Sequence, residues 1–275
     1  MNNVKLDQAV LESVKMVQQM GYTVLYAANY GSHNYNLNIN NEEYQSDIDT
    51  KVIILPTLEE LVHNTKPIST TVDISTGQCD IKDIRAFVPT LLKANIQFLE
   101  ILGAKSYWIN PLYEKDFQWF IDNLTGLISE SQNELLKSIK GMCYEKQKAL
   151  CHPYPTIKWK IDKWGYDGKQ LHHIMRLKDF IDNYFYDNRA FTYAIWYEND
   201  DPRRELMMQA KLNKLTLKQA LDWADSYCMI VQKEVDKLIS DKTVNTKYRE
   251  EYQRKTNEII IKNIKKKILE ESECR

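Results

Sequence analysis

The N-terminal residues follow the pattern of one amphipathic helix. Leu6, Val10, Val14 and Val17 recur at helical spacing, with polar residues between them. Gly21 comes soon after the last of these apolar residues, where glycine commonly ends a helix. The pattern therefore predicts a helix that buries one apolar face and ends just before Gly21.

Three short runs follow, and each is typical of a β-strand. Residues 23–29 are partly β-branched and aromatic, and they lead into a tight Gly-Ser turn. Residues 49–55 are almost continuously apolar, as expected of a strand covered on both faces, and Pro56 ends this run. Polar and apolar residues alternate, although imperfectly, over 78–84. These runs predict strands in the first half of the chain.

Helical patterns dominate the remainder of the chain. Apolar residues keep helical spacing over 84–92 and resume it over 96–102, after an interruption around Asn95. From Lys115 onward the strand signals fade and the periodicity is helical. We therefore predict an α+β fold in two domains, with a mixed α/β domain over residues 1–114 and a helical domain over residues 115–275.

The composition is that of an ordinary globular protein. The 275 residues are 43% hydrophobic and 27% charged, with 37 Lys and Arg against 38 Asp and Glu. This balance excludes disordered, collagen-like and strongly nucleic-acid-coating classes. No apolar run approaches the ~20 residues of a membrane span, and the N-terminus lacks the basic and apolar regions of a secretory signal. Five spread cysteines without CxxC spacing indicate reduced thiols, so we expect a cytoplasmic protein with no membrane partner.

The densest group of chemically useful residues lies between the first two predicted strands. Gly31 and Ser32 follow the first strand, and Asp47 and Asp49 open the second. Residues two apart in a strand point to the same face, so these carboxylates repel each other unless they share a cation. Mg²⁺ accepts such oxygen ligands when phosphate oxygens complete its coordination. The Gly-Ser turn offers backbone N–H groups and a hydroxyl to phosphates, so the pattern indicates a metal-bound phosphate site.

In-line displacement at phosphorus, with two metals on the attacking and leaving oxygens, requires a third carboxylate. We select Asp80 because it lies in the next predicted strand, while Asp73 and Asp83 are alternatives. The Asn-rich loop over residues 33–45 has no usable periodicity, and a loop of this kind is expected to have a function. The contacts of this loop are left open.

Four sequence blocks, taken in order, resemble one family. The blocks are GSHNYN, SDID, Asp80 followed by KANIQFLEIL, and GYDGKQLHHIMRL, within residues 20–225. They resemble the nucleotidyltransferases of the DNA polymerase β superfamily, and in particular a subfamily from bacteria and their phages that is linked by prediction to RNA repair. The resemblance implies a nucleotidyltransferase-type mixed β-sheet with flanking helices, followed by a helical domain. The family's glycine after Tyr35 is replaced by Asn36, a residue that tolerates left-handed backbone conformations.

The resemblance also implies roles for residues around the predicted strands. Gly31 and Ser32 would hold the nucleoside triphosphate, and Asp47 and Asp49 would bind the catalytic Mg²⁺ or Mn²⁺ ions. Asp80 would be the third metal-binding carboxylate and the base that accepts the proton of the attacking hydroxyl. ATP is among the expected substrates, although the sequence does not select one NTP.

In the helical part, three residues match the family's GYDxK…H…RL block: Lys169, His173 and Arg176. Their spacing of four and three residues places them on one helix face. The resemblance implies that this row binds the triphosphate or an RNA backbone. The alternative is an exposed polar face that pairs with acids such as Asp162 or Asp179.

Two other groups carry weaker signals. Cys143, Cys151 and His152 do not fit the spacing of a standard zinc site, and a fourth ligand is not evident. Trp164 and Tyr166, beside the GYDGK block, either stack on a base or pack in the core, and core packing is favoured. We therefore expect no zinc site in this segment.

Together these features predict a metal-dependent enzyme that transfers a nucleoside monophosphate from an NTP to a hydroxyl and releases pyrophosphate. The favoured acceptor is an RNA end similar to that of a tRNA, with a protein hydroxyl or a small molecule as alternatives. The RNA acceptor depends on the resemblance and on the cationic helix face, because a net charge of −1 gives no general nucleic-acid footprint. The alternative function is a protein that keeps the fold but only binds a nucleotide or a partner.

Overall fold

The computed structural model describes residues 2–40, 45–239 and 246–273, which form two compact units. The first unit comprises Met1–Asn34, Ile39–Ser131 and Val244–Arg275, and the second comprises Tyr35–Asn38 and Gln132–Thr243. This division differs from the predicted boundary after residue 114, because residues 115–131 and the last helix pack within the first unit. The assignment of catalysis to one domain and substrate binding to the other stays a prediction.

The first unit contains a five-stranded mixed sheet with flanking helices, which confirms the predicted α+β class. The strands are β1 (Thr23–Tyr30), β2 (Asp49–Leu55), β3 (Ser69–Ile74), β4 (Gly77–Asp83) and β5 (Tyr107–Ile109). Their order is β3-β4-β2-β1-β5, with β2 and β4 parallel and the other neighbours antiparallel. The predictions for β1, β2 and β4 are confirmed, whereas the edge strands β3 and β5 have no predicted counterpart.

Helices account for most of the other ordered elements of the described residues. In chain order they are α1 (Asn2–Gln19), α2 (Leu58–Val62), α3 (Ile84–Leu92), α4 (Ile96–Leu102), α5 (Glu114–Asp122), α6 (Leu124–Glu130), α7 (Gln132–Ala149), α8 (Lys158–Trp164), α9 (Gly168–Ile181), α10 (Phe191–Ala194), α11 (Pro202–Lys211), α12 (Leu217–Leu238) and α13 (Lys247–Glu273). The predicted break between α3 and α4 is confirmed, and Asn95 caps α4 by accepting from the backbone N–H of Gln97. Within the described ranges, none of the helices is both long and apolar enough to cross a membrane.

One face of the sheet packs against α1 and forms a hydrophobic core of the first unit. The core cluster joins α1 to three strands through Val10, Val14, Val17, Val24, Ala27, Val52, Ile54, Cys79 and Ile81. Each fully buried valine or isoleucine of this cluster contributes roughly 1.5–3 kcal/mol. Because side chains alternate along a strand, Asp49 and Lys51 of β2 point to the opposite face. The polar side chains of β2 therefore lie on that opposite face of the sheet.

Helix α9 packs against α7, α11 and α12 in the second unit. Asp167 caps its start by accepting a hydrogen bond from the backbone N–H of Lys169. At Gly168 the helix approaches α11 so closely that a Cβ would lie 2.0 Å from the carbonyl oxygen of Ala210. Only glycine permits this backbone approach, so the packing fixes where the following side chains of α9 lie.

Candidate active site

The turn after β1 is held by two buried asparagines. Gly31 begins a short 3₁₀ turn, Gly31–Asn34, and has a φ of +80°, a left-handed conformation that favours glycine. The side chain of Asn29 donates to the side chain of Asn34 at 2.7 Å, and Asn34 donates to the carbonyl oxygen of Asn29 at 3.1 Å. Ser32 follows in this turn and is half-buried. The predicted phosphate-binding pair thus lies on a turn that internal hydrogen bonds hold in place.

The two predicted metal ligands before and at the start of β2 lie around one glycine of the β3–β4 hairpin. Asp49 is the first residue of β2, and the exposed Asp47 lies two residues before it. A Cβ on Gly77 would lie 2.8 Å from Oδ1 of Asp49 and 3.1 Å from Cβ of Asp47. The backbone N–H of Gln78 donates to the same Oδ1 at 3.0 Å. The hairpin therefore positions the Asp49 carboxylate, and only a glycine fits beside it.

The Asp49 carboxylate also lies beside the turn after β1. Asp49 is the ladder partner of Tyr30, the last residue of β1. A Cβ on the next residue, Gly31, would lie 3.8 Å from Oδ2 of Asp49. The structure thus brings together Gly31, Asp49 and Asp47, which are separated by a long loop in sequence.

Asp80 lies on the neighbouring strand and is paired with a lysine. In the parallel β2–β4 ladder Lys51 is opposite Asp80, and Nζ of Lys51 lies 2.5 Å from Oδ2 of Asp80. Both side chains are largely buried, with exposed fractions of 7% and 17%. The same Nζ lies 4.1 Å from the ring centroid of Tyr30 and 4.8 Å from that of Phe98. Lys51 therefore links the third predicted carboxylate to two aromatic rings through cation–π contacts.

Tyr30 responds to both carboxylates. Burial raises the pKa of its hydroxyl, and the negative charges of Asp49 and Asp80 raise it further. The phenol consequently stays protonated at neutral pH. Tyr30 thus adds a neutral aromatic wall, and no further negative charge, to this face of the sheet.

The two alternative third carboxylates have different surroundings. Asp83 is buried, caps α3, and forms an ion pair with Arg85 at 2.5 Å. Asp73 is exposed on the edge strand β3 and accepts a long hydrogen bond from Nε2 of Gln78 at 3.4 Å. Asp83 therefore has an evident structural role in starting a helix. The selection of Asp80 stays a prediction.

Across the part of the chain that the structure describes, no group of three or more His, Cys, Asp or Glu side chains is arranged to hold a metal ion. The donor chemistry of Asp47 and Asp49 nevertheless suits Mg²⁺ or Mn²⁺, which prefer carboxylate oxygens and take further ligands from substrate phosphates. Asp80 is engaged by Lys51 in this structure. The metal-binding roles of the three carboxylates stay predictions.

The predicted cationic row lies on α9 of the second unit, and its exposure decreases along the helix. Lys169 is exposed, His173 is half-buried and Arg176 is only 3% exposed. The guanidinium carbon of Arg176 lies 3.6 Å from the ring centroid of Tyr35, the geometry of a close cation–π contact. The row therefore runs from the exposed Lys169 to the buried Arg176, which packs inside the second unit.

The acids that were considered as partners of this row lie in other contacts. Asp162 forms an exposed i,i+4 pair with Lys158 at 2.7 Å. Asp179 is 6% exposed and accepts a hydrogen bond from the hydroxyl of Tyr197 at 3.1 Å. Burial raises the pKa of Asp179 to about 6, although Arg203 and that hydrogen bond act in the opposite direction. Phosphate binding by the cationic row stays a prediction.

A second histidine, His172, lies beside His173 and is absent from the predicted set. The two ring centroids are 5.2 Å apart. Burial lowers the pKa of both imidazoles well below the usual value, and the nearby cations Arg176 and Lys169 lower it further. Both rings are therefore neutral near neutral pH, so only Lys169 and Arg176 of the predicted row carry a positive charge. The adjacent histidines of the HH dipeptide are the sequence signal for this pair.

The loop after β1 is more ordered than its polar composition predicts. Tyr35, Leu37 and Ile39 are buried, and the asparagines that alternate with them are not. This alternation of apolar residues and asparagines is present in the sequence, so the expectation of a loop without usable periodicity is wrong over residues 35–40. Asn36 has a φ of +59°, a left-handed conformation that asparagine tolerates better than most residues. Residues 41–44 of the loop lie outside the described residues.

The weaker candidates have structural surroundings of their own. Tyr166 is fully buried, and its hydroxyl donates to the carbonyl oxygen of Leu215 at 2.8 Å, as the favoured core interpretation predicts. Cys143 is buried against Cys228, with 3.0 Å between the Sγ atoms. Cys151 is exposed, and these three thiols are free. Cys143 and Cys151 therefore lie in different environments.

Comparison with known proteins gives a weak structural likeness. No protein-family model matches the chain, and no curated protein matches it significantly. Among solved structures, the chain is similar to a nucleotidyltransferase-like protein from Exiguobacterium sibiricum, with 13% sequence identity and a TM-score of 0.30, over 84% of this chain and 74% of that chain. Two chains at that TM-score need not share a fold, so the likeness leaves the function to the residues of this chain.

Proposed function

We propose that the protein is a metal-dependent nucleotidyltransferase that transfers a nucleoside monophosphate from an NTP to a hydroxyl acceptor. The acceptor oxygen bonds to the α-phosphorus, the bond to the pyrophosphate oxygen breaks, and the hydroxyl proton passes to a base. In this proposal Asp47 and Asp49 hold Mg²⁺ or Mn²⁺, and Asp80 is the third carboxylate and the base. The metal supplies positive charge that binds and orients the triphosphate.

The observation that carries the proposal is the proximity of Gly31 to Asp49, where a Cβ on Gly31 would lie 3.8 Å from Oδ2 of Asp49. A carboxylate that suits a divalent cation lies next to a turn whose backbone suits a phosphate. A metal-bound triphosphate needs these two features side by side. The nearby Asp47 adds a second negative charge, which is unfavourable for folding alone and favourable when a cation is bound.

The sheet register supports the inclusion of Asp80. Lys51 follows Asp49 by two residues on β2 and is the ladder partner of Asp80 on β4. The side chains of Asp49, Lys51 and Asp80 therefore share one face of the sheet. Since the ion pair with Lys51 occupies the Asp80 carboxylate, release of Asp80 from Lys51 is part of the proposed reaction.

For the acceptor, the proposal favours an RNA end, with Lys169, His173 and Arg176 binding phosphate oxygens of the nucleotide or of the RNA. Arginine suits this role because its guanidinium forms paired hydrogen bonds with phosphate, while lysine supplies a point charge. If the acceptor is a protein hydroxyl, the enzyme is a protein nucleotidylylating enzyme. Incubation with an α-labelled NTP in the presence of RNA and protein distinguishes these acceptors, because the label is transferred to the acceptor.

A second function, nucleotide binding without turnover, is favoured by the ion pair of Asp80. Its carboxylate is 17% exposed and lies 2.5 Å from Nζ of Lys51. A protein that kept this pair after nucleotide binding would use Gly31 and Asp49 to hold the triphosphate and would transfer nothing. Binding and transfer therefore have to be measured separately.

The test is incubation of the purified protein with each α-labelled NTP and Mg²⁺ or Mn²⁺, in the presence of tRNA, other RNA and protein. We expect label on one acceptor class and an equal amount of pyrophosphate. Asp47→Ala should abolish both signals, because it removes a predicted metal ligand. Asp122→Asn, which changes an exposed carboxylate on α5, is the matched control and should leave both signals unchanged.

The outcomes separate the two functions and the three candidate carboxylates. Retained NTP binding with no labelled acceptor supports binding without turnover and contradicts the transferase. Loss of transfer in Asp80→Asn, with activity retained in Asp73→Asn, supports the selected third carboxylate. Activity retained in Asp80→Asn and lost in Asp73→Asn or Asp83→Asn shows that the selection is wrong.

A further inference from the structure

Helix α8 (Lys158–Trp164) of the second unit has no buried side chain. A helix of this length is not stable alone, and packing of an apolar face normally stabilises it. Instead, α8 carries Trp159, with 57% of its surface exposed, and the half-buried Trp164. The two indole ring centroids lie 5.5 Å apart. An exposed aromatic residue with a second ring beside it forms an apolar patch, and such patches are typical of surfaces that another molecule covers.

The loop before α8 presents two further rings. Tyr154 is 47% exposed, and its ring centroid lies 4.1 Å from that of the exposed His152. The loop is folded, because two backbone hydrogen bonds close it. The N–H of Tyr154 donates to the carbonyl oxygen of His152 at 2.9 Å, and the N–H of Ile157 donates to the carbonyl oxygen of Tyr154 at 3.0 Å. We call the four side chains the aromatic platform: His152, Tyr154, Trp159 and Trp164.

Lysines are interleaved with the aromatic platform. Nζ of Lys163 lies 4.5 Å from the ring centroid of Trp164, and Nζ of Lys160 lies 5.8 Å from that of Trp159. Residues 145–169 contain six lysines and three acidic residues, a local charge of +3 in a chain whose net charge is −1. The segment therefore complements a polyanion through its charge and an aromatic ligand through its rings.

The positive charge around the aromatic platform is moderate. Lys158 pairs with Asp162 at 2.7 Å, and Lys160 pairs with Asp167 at 3.1 Å. Proteins that bind duplexes through the backbone alone need many unpaired cations, because phosphate contacts supply most of the affinity. The combination of exposed rings and few cations instead favours a ligand whose bases are open for stacking.

We propose that the aromatic platform binds single-stranded nucleic acid. Bases stack on the exposed rings of Trp159 and Tyr154, and a phosphate lies near Lys163. Every base has a π-face, so such stacking tolerates any sequence, whereas a duplex hides those faces. One part of the inference rests on the proposed function: if the enzyme modifies RNA, this surface binds the strand whose end receives the nucleotide.

The binding test uses the full chain without NTP and a fluorescein-labelled single-stranded RNA of about 12 nucleotides, a length within the range of known single-strand sites. Fluorescence anisotropy gives the Kd, and a duplex of the same sequence is measured in parallel. We expect Trp159→Ala to raise the Kd about tenfold, as loss of one stacked base does. Tyr193→Ala is the matched control, because Tyr193 is a 69% exposed aromatic residue in the same unit.

Two further measurements locate the bound strand. Lys163→Gln should reduce the slope of log K against log salt by about 0.7, the contribution of one phosphate contact to a single strand. Lys218→Gln, which changes a lysine with an 85% exposed side chain, should leave the slope unchanged. Bound RNA should also slow alkylation of the exposed Cys151, next to His152, as measured by peptide mass mapping.

Unchanged affinity in both Trp159→Ala and Tyr154→Ala would overturn the proposal, and so would equal affinity for single strand and duplex. Circular dichroism of each variant verifies that the second unit is folded. The proposal would also be overturned if the oligonucleotide does not bind and the chain instead captures a protein partner, in a manner that depends on Trp159. RNA binding that depends on Trp159 without nucleotide transfer would support the platform and contradict the transferase. If the platform variants bind RNA as tightly as the wild type and still transfer a nucleotide to it, the transferase is supported and the platform is contradicted.

Discussion

Nζ of Lys51 lies 2.5 Å from Oδ2 of Asp80, across the parallel ladder of β2 and β4. Both side chains are largely buried, so loss of one leaves the other as an unpaired buried charge. Breaking such a pair typically costs about 3–5 kcal/mol. We expect Asp80→Ala to lower the free energy of unfolding by about 3 kcal/mol, and Lys51→Met in the same chain to restore part of it.

Urea unfolding of the two single variants and the double variant measures the coupling of Lys51 to Asp80. The matched pair is Lys262 with Asp116, at 2.7 Å and with exposed fractions of 52% and 30%. Exposed pairs contribute about 0.2–1 kcal/mol, so we expect a small coupling there. An equally small coupling between Lys51 and Asp80 would contradict the structural importance of the buried pair.

Gly77 leaves no space for a side chain beside Asp49. An added Cβ would lie 2.8 Å from Oδ1 of Asp49 and 2.9 Å from the carbonyl oxygen of Ile48, so Gly77→Ala must displace the hairpin or the carboxylate. In the proposed enzyme, displacement of a metal ligand by about 1 Å should reduce transfer by roughly 10²-fold. The rate of pyrophosphate release measures this loss.

The control for Gly77 is Gly141→Ala in α7, where an added Cβ meets nothing within 4 Å. Alanine is favoured over glycine inside helices by about 0.5–1 kcal/mol, so Gly141→Ala should raise Tm slightly at unchanged activity. Transfer at the wild-type rate by Gly77→Ala would show that the position of Asp49 does not limit the reaction.

Asp179 makes the stability of the second unit depend on pH. Burial raises its pKa from 3.8 to about 6, so the folded protein retains a proton that the unfolded chain releases between these values. The free energy of unfolding therefore decreases as the pH rises from 3.8 to about 6. Asp179→Asn should remove this decrease and be more stable than the wild type by up to roughly 3 kcal/mol above that range.

Unfolding by urea across this pH range measures the difference between Asp179→Asn and the wild type. Asp222→Asn, which changes an exposed carboxylate on α12, should follow the wild-type pH profile. If Asp179→Asn also follows that profile, the buried carboxyl does not titrate as its surroundings imply.

Cys143 on α7 and Cys228 on α12 hold their Sγ atoms 3.0 Å apart. This separation is only about 1 Å longer than a disulfide bond. Oxidised glutathione should join the two thiols, which lose two protons and two electrons while the reagent is reduced to two thiols. We expect the linked protein to gain about 2–4 kcal/mol in stability, seen as a higher Tm.

Alkylation followed by peptide mass mapping reports the linkage. Cys143 and Cys228 should lose reactivity together, whereas the exposed Cys151 should form only a mixed disulfide with glutathione. Cys228→Ser prevents the link and should show no rise in Tm. Alkylation of both cysteines after oxidation would contradict the prediction.

The covered strands of the fold are readable in the sequence, and the edge strands are not. The residues of β1 and β2 are mostly buried and apolar, as is usual for strands in the middle of a sheet. A turn follows β1, and Pro56 follows β2. β3 is a mostly exposed, Ser/Thr-rich edge strand, and β5 has three residues, so neither has the apolar period of a covered strand. Local pattern therefore predicts the centre of this sheet and not its edges.

The candidate site also has one part that follows from the sequence and one part that does not. The proximity of Gly31 to Asp49 follows from the antiparallel pairing of β1 with β2, which are consecutive strands. The Lys51–Asp80 pair depends on the parallel register of β2 and β4, two strands that are separated in the chain by β3, which pairs with the other edge of β4. The role of Gly77 depends on that same hairpin. Residue types and spacing indicate ligands, but register determines their neighbours.

The interruption of the first unit by the second has a consequence for synthesis of the chain. Helix α13 packs on α3 and α6, where Arg249 donates to the carbonyl oxygen of Leu92 at 2.6 Å and to the hydroxyl of Ser131 at 3.0 Å. The ribosome makes α13 only after residues 132–243, a delay on the order of ten seconds at typical elongation rates. The apolar faces of α3 and α6 stay uncovered during this interval, so the domain that carries the carboxylates is completed only after the inserted helices have been translated.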